Sequence, residues 1–294
     1  YDDGSSDGCG SIYRSVGENV QVVAGPGRTG KARGMKTRLG MTERPFLVFT
    51  DANVILDPDA IDRLRHIYRD PGVGGVCGHL IYEGTDGTAT EEAGQQYWSL
   101  DERLKQLESM TGSVMGGDGS IFSVRRELYP TYPDTVQDDF TVTMSVVFSG
   151  RRLVYAEDVI ARERLVSRSS EEYRRKVRIA ARAYHTHLMM RDRVRKMSAL
   201  DRWKYSSHKV LRWLGGGFAL GAIVAGLAAV AVISPIAAVI CAAVGIIALL
   251  FGPHIAPIFG TVREILLALM STLHGLVLGA GGKTFATWNP PQSR

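Results

Sequence analysis

The apolar run Phe46-Leu47-Val48-Phe49-Thr50 delivers Asp51, and then Asn53, at the point where a buried strand would end. Two oxygen-bearing side chains two residues apart suit a hard divalent cation, Mg2+ or Mn2+, that also holds a diphosphate, because such ions take few protein ligands and complete their shell with phosphate or water. The same residue types form Asx turns, and Asp57-Pro58 supplies turn chemistry close by. A second candidate is the carboxylate pair Asp138-Asp139, placed between the glycine turn Gly116-Gly117-Asp118-Gly119 and the apolar segment 142–148. Adjacent buried carboxylates push at least one pKa upward, which suits a general base. Acidic residues also favour a helix N-terminus, so both readings stand for this pair.

Three further clusters carry charge to places where phosphates bind. Asp2-Asp3-Gly4-Ser5-Ser6-Asp7-Gly8 is an acidic turn; at the carboxyl end of a strand it would lie where ligands of parallel sheets bind, accepting hydrogen bonds from a ribose hydroxyl or a base N–H. The loop Gly25-Pro26-Gly27-Arg28-Thr29-Gly30-Lys31 is not a Walker A loop, since its spacing is short and Ala32 follows the lysine. Arg28, Lys31 and Arg33 still offer point charges to a phosphate. In Arg174-Arg175-Lys176-Val177-Arg178, with Arg182 a turn further, positions 175, 178 and 182 share one helix face and would converge on a diphosphate. A merely solvated basic helix has the same pattern.

The elements that must position these residues follow from periodicity. Short apolar runs alternate with helical patterns over the first 150 residues, the sign of an α/β fold with βα units around a largely parallel sheet. Strands are expected over 20–24, 46–50 and 73–77, with a late one at 153–156. Helices are expected over 59–70, opened by Pro58, over 93–110, and over the basic stretch 171–190.

After Arg212 the chain changes solvent. No Lys, Arg, Asp or Glu occurs from Trp213 to Val262, whereas 151–212 holds 18 Lys and Arg against 7 Asp and Glu. That block exceeds the whole-chain net charge of +5, so the basicity is local and adjoins the apolar run, as at an anionic membrane face. No nucleic-acid-binding motif accompanies it. The 20 residues 214–233 are long enough to cross a hydrocarbon core, 236–251 form a second stretch, and 265–282 would either span or lie in the interface. Cys9, Cys77 and Cys241 are odd in number and scattered, which suggests neither a disulfide framework nor a zinc site and agrees with a reducing cytosolic face. The expected organisation is a catalytic domain over 1–195, a basic juxtamembrane segment over 196–213, two or three transmembrane helices over 214–282 and a tail over 283–294. Because the chain opens at Tyr1 without a methionine, the first strand of the sheet, and any earlier membrane helix, is expected upstream of it.

Taken in order, a DDGSSD turn, a GK loop, a strand ending in DAN, a GGDG turn, a DD pair and a basic helix before membrane spans resemble the family 2 glycosyltransferases of GT-A fold. The resemblance is closest to the membrane synthases of cellulose, hyaluronan and poly-N-acetylglucosamine, and the closing Ala286-Thr287-Trp288-Asn289-Pro290 looks like the tail of bacterial members. It implies an N-terminally truncated, Rossmann-like GT-A domain followed by transmembrane helices, in the inner or plasma membrane with the catalytic part cytoplasmic. By the same resemblance, Asp2, Asp3, Arg28, Lys31, Asp51, Arg175 and Arg178 bind the nucleotide sugar, a UDP-sugar. Asp51 and Asn53 hold Mg2+ or Mn2+, Gly117, Asp118 and Asp138 lie on the acceptor side, and Asp139 is the general base. Asn53 stands for the second Asp of DxD, Asp138 for the Glu of the ED pair, and of the QxxRW motif only Arg178 is retained. The implied activity is inverting transfer onto a growing polysaccharide, with a polyprenyl phosphate or lipid as the alternative acceptor and a non-catalytic membrane scaffold as a third reading.

Overall fold

A computed structural model describes residues 1–17, 20–83 and 87–287. Trp288, Asn289 and Pro290, and most of the expected tail, lie outside the described residues. The N-terminal part runs α1 (Cys9–Ser15), α2 (Lys31–Leu39), β1 (Phe46–Thr50), β2 (Ile55–Leu56), α3 (Ala60–Ile67), β3 (Val73–Glu83), α4 (Ala89–Met110), β4 (Ile121–Arg125), α5 (Asp138–Phe148) and β5 (Arg152–Arg164). Then follow α6 (Ser169–Arg195), α7 (Ala199–Tyr205), a π-helical turn over Ser206–Val210, α8 (Leu211–Ile233), α9 (Pro235–Phe251) and α10 (Pro257–Ala280).

The five strands form one mixed sheet in the order β1-β4-β3-β5-β2. Only β3 and β5 pair in parallel; β4 runs antiparallel to both β1 and β3, and β2 antiparallel to β5. This corrects the expectation of a largely parallel sheet. The apolar run of β4 is broken by Ser123, which is fully buried and paired through its hydroxyl with Tyr68 Oη at 2.9 Å. A polar residue satisfied across 55 positions leaves no strand signal in the local sequence. The strand expected over 20–24 shrinks to a single parallel bridge, Asp2 with Ala24.

Alternation along the strands divides the core into two layers. On one face Cys77, Phe122, Val124 and Leu153 pack under α2 and α5, through Met35, Val142 and Val146. On the other, Val76, Leu80, Ile121 and Ala161 pack under α3 through Ala60 and Leu64. A third cluster joins α5 and α6 to the start of the apolar region, with Met115, Phe140, Met144, Tyr205 and Trp213. α4 begins at a capping box, where Glu91 N donates to Thr88 Oγ1 at 3.2 Å and Thr88 N donates back to Glu91 Oε2 at 3.4 Å.

Among the described residues, three helical segments are long and apolar enough to cross a membrane: Ala199–Ile233, Pro235–His254 and Pro257–Ala280. Ser234 caps α9 through Ala237 N, with Pro235 at its first turn. α10 differs from the other two, because it lies along α6. A Cβ on Gly275 would come within 2.5 Å of Val177 O, and one on Gly279 within 2.7 Å of Ala181 O. Small residues four apart thus let the two backbones approach.

Candidate active site

The site is built where β1 ends, where α2 and α5 begin, and where the glycine turn 116–119 crosses between them. Thr50 Oγ1 donates to Ser120 O at 2.7 Å, tying the end of β1 to that turn. Asp51 follows at once, and the Lys31 ammonium, from the first residue of α2, donates to its Oδ1 at 2.5 Å. A Cβ on Gly119 would stand 2.7 Å from Lys31 Nζ and 2.8 Å from Asp51 Oδ2, so a larger residue there would have to push this ion pair aside. Gly116 has φ +91° and a virtual Cβ 2.5 Å from the Phe140 ring, which fixes the turn on α5.

At the N-terminus of α5, Asp138 is buried and stands 3.6 Å from Lys31 Nζ and 3.5 Å from Arg182 Nη2. Its Oδ2 accepts no hydrogen bond. Burial raises the pKa of Asp139 to about 6, and the Asp138 charge adds to the rise, while Lys31 and the Phe140 N–H pull against it. Burial works against the Lys31 ammonium, but the charges of Asp138, Asp51 and Asp139 outweigh it and hold the lysine firmly protonated. Arg178 feels the same carboxylates; burial, then Arg182 and Arg175, bring its pKa down to about 10. Lys31, Asp51, Asp138, Asp139 and Arg178 therefore form one electrostatic unit.

The other candidate residues lie around that unit with partners of their own. Asp3 accepts from Thr29 N at 2.6 Å, Thr29 Oγ1 at 2.8 Å and Gly30 N at 2.8 Å, beside Arg28. It shapes the loop that carries Lys31. Asp2 Oδ1 accepts from Ser5 N at 2.8 Å within its own turn. Asn53 turns its amide to Glu163 on β5, Nδ2 to Oε1 at 2.8 Å. Gly117 N donates to Thr143 Oγ1 at 2.9 Å. Asp118 is held by Lys105 at 2.5 Å, and Arg175 makes a two-point pair with Glu172 at 2.7 and 3.0 Å. Arg182 donates to Val136 O, and to Phe285 O at 3.1 Å, and the segment after α10 reaches the loop that carries Lys31, where a Cβ on Gly30 would stand 2.5 Å from Ala286 O. The three arginines on one face of α6 thus divide their work: Arg178 faces the carboxylate unit, Arg175 its own helix, and Arg182 the chain around it.

Sequence reasoning missed Lys105, Glu172 and Glu163. Lys105 is buried among Asp101 at 3.3 Å, Glu102 at 2.6 Å and Asp118 at 2.5 Å. Its spacing of three and four from two of these, and that of Glu172 from Arg175, are helix-pair signals legible in the sequence. Glu163 is 110 residues from Asn53 and leaves no such signal.

Among the described residues no group of three or more His, Cys, Asp or Glu is arranged to hold a metal ion by itself. The half-exposed Asp51 carboxylate fits an ion that takes one or two protein carboxylates and completes its shell with diphosphate oxygens.

Residues 1–132 match the family described as glycosyl transferase family 2. That match covers less than half of the chain and makes this part similar to family 2 glycosyltransferases. The glycosyltransferase fold is GT-A: a mannosyltransferase from Pyrobaculum calidifontis, solved in complex with GDP-Man and Mn2+, superposes with a TM-score of 0.67 at 22% identity, covering 94% of this chain and 76% of that one. A curated N-acetylglucosaminyltransferase from Azorhizobium caulinodans is 23% identical over 168 residues, 53% of this chain. The chain spans 42% of that relative's length.

Proposed function

We propose that this chain is the catalytic part of a membrane-bound inverting glycosyltransferase that moves a sugar from a nucleotide-sugar donor, a UDP-sugar, to a growing polysaccharide. One observation carries the reading: Asp139, raised to about 6 by burial and by Asp138, sits beside a Lys31–Asp51 pair at the carboxyl end of β1. A base of that pKa is ionised at neutral pH and still takes up a proton readily. Asp139 removes the proton from an acceptor hydroxyl as that oxygen attacks the anomeric carbon from the face opposite the diphosphate. The bond from the anomeric carbon to the phosphate oxygen breaks, and its electrons stay on the leaving nucleoside diphosphate. Lys31 and Arg178 neutralise that charge, Asp3 keeps the Lys31 loop in place, and the glycine turn gives the donor a close approach to Asp51. A divalent cation bound by Asp51 supplies further charge neutralisation on the diphosphate; Asn53, through its remaining amide oxygen, is the second protein donor proposed for it. The mannosyltransferase of the same fold was solved with Mn2+ and GDP-Man, which supports both a metal and a nucleotide-sugar donor here.

The acceptor side is proposed as a cavity of about 270 Å³ between Gly117, Asp118, Phe140 and Trp213 and the α10 residues Ile265 and Leu269. It joins the reacting centre to a helix apolar enough to span a membrane, which equally favours a polyprenyl phosphate or lipid acceptor as the second reading. Membranes holding the complete protein, given labelled UDP- and GDP-sugars with Mg2+ or Mn2+, separate the two by product size: a polymer supports the first, a single sugar on lipid the second. Asp139→Asn is expected to abolish transfer while donor binding stays within about twofold; full transfer by that variant removes the base from Asp139.

A further inference from the structure

A second cavity, of about 360 Å³, opens on the other side of α4, between the outer end of β3 and β5. Two ring pairs line it: Tyr82 and Trp98 at 5.0 Å between centroids, and His79 and Tyr155 at 6.0 Å. Gln95 and Gln106 from α4 and Glu157 from β5 stand among them, with Gln106 Nε2 donating to Glu157 Oε2 at 3.0 Å. Beneath them lies Glu102, only 7% exposed. Lys105 holds its Oε1 at 2.6 Å, and the Tyr155 hydroxyl stands beside the same carboxylate.

These features select a ligand by chemistry. The lining mixes aromatic faces with carboxamides and the rim carboxylate of Glu157, and a purely apolar occupant would leave those polar groups unsatisfied. An anionic occupant would face Glu102 and Glu157, while the cation on the rim, Arg103, donates to Gln106. A pyranose satisfies every part: its C–H face packs on aromatic rings, its hydroxyls donate to the carboxylate, and carboxamides both donate to and accept from the rest. The size falls within the range of small-ligand pockets. We infer that this cavity is a binding site for a neutral saccharide, separate from the donor site. Trp98 and Tyr82 stack on the sugar, and Glu157, Gln95 and Gln106 form hydrogen bonds with its hydroxyls at the rim. The site is joined to the reacting centre through Lys105, which pairs both Glu102 and Asp118 of the glycine turn.

Saturation-transfer NMR on the full chain in detergent micelles, with neutral tetrasaccharides of β-1,4-glucose, β-1,4-N-acetylglucosamine and α-mannose as probes, tests this. At least one probe is expected to receive saturation, with affinity falling about tenfold in Gln95→Ala/Gln106→Ala, the loss of roughly two modest hydrogen bonds. Those two residues line this cavity and not the one beside Asp139. UDP and GDP titrations should give wild-type values in the same variant, so a failed donor site shows itself separately. No transfer to any of the three probes overturns the site, as does wild-type affinity in Gln95→Ala/Gln106→Ala.

Discussion

Asp139 carries opposing demands. Its folded pKa of about 6 lies above the ordinary carboxyl value of 3.8, so the folded state binds more protons between those limits. Stability from this group is therefore present below about pH 4 and is lost as pH rises through about 6. At neutral pH the ionised carboxylate costs about 3 kcal/mol, a cost that the proposed base role would require. Asp139→Asn should consequently raise the thermal midpoint at pH 7 even as transfer disappears. In the wild type, kcat/KM should fall about tenfold per pH unit below about 6, following protonation of the base. A profile flat down to pH 4.5, or a variant less stable than wild type at pH 7, contradicts this account of the carboxylate. Glu172 has the reverse sign: burial would raise its pKa, but Arg175 and Lys176 outweigh it and hold it at about 2, so its stabilisation is full above about 4.5 and is lost as pH falls towards 2.

At the scale of elements, α6 is the beam on which both halves of the molecule rest. It offers Arg178 to the site, locks Arg175 to Glu172, and receives α10 along Val177 and Ala181. Glu172→Gln leaves a buried guanidinium with a neutral partner and should cost about 3–5 kcal/mol, visible in a denaturant titration. A loss under 1 kcal/mol would mean that the pair is solvated. Gly279→Leu should force α10 off α6, because its first carbon already meets Ala181 O. The expected result is a disulfide between cysteines placed on α6 and α10 that forms in the parent and not in the variant. α4 plays a similar part beside the glycine turn, where Lys105 gathers Asp101, Glu102 and Asp118.

The whole molecule is a GT-A domain that passes into three apolar helices through a basic neck. The exposed faces of α8 and α9, such as Val232 at 89% and Ile236 at 74%, need a non-aqueous partner. The protein should stay with membranes through an alkaline carbonate wash and leave them only in detergent; release by carbonate would place these helices against protein instead. The basic segment 151–212 argues for a catalytic domain on the cytoplasmic side, which protease protection in sealed vesicles of known orientation would report.

Much of this was legible locally. The apolar helices, the strand delivering Asp51, the helix opening at Asp138 and the order of the motifs depend on periodicity and on the solvent each segment seeks, and those are properties of neighbouring residues. The partner of a buried charge is a different matter. Asn53 meets Glu163, His208 bridges Asp101 at 3.1 Å and Glu108 at 2.8 Å, and β4 enters the sheet against the direction its neighbours implied. Each depends on closure of the chain over scores of residues, where a satisfied polar group is stable only once the surrounding core excludes water. The sequence by itself determined which residues could bear the chemistry and which segments are apolar enough to leave water. Only the tertiary structure decided that Lys31 joins Asp51 to Asp138, and that Asn53 meets Glu163, because those pairings arise from the electrostatics of a shared interior.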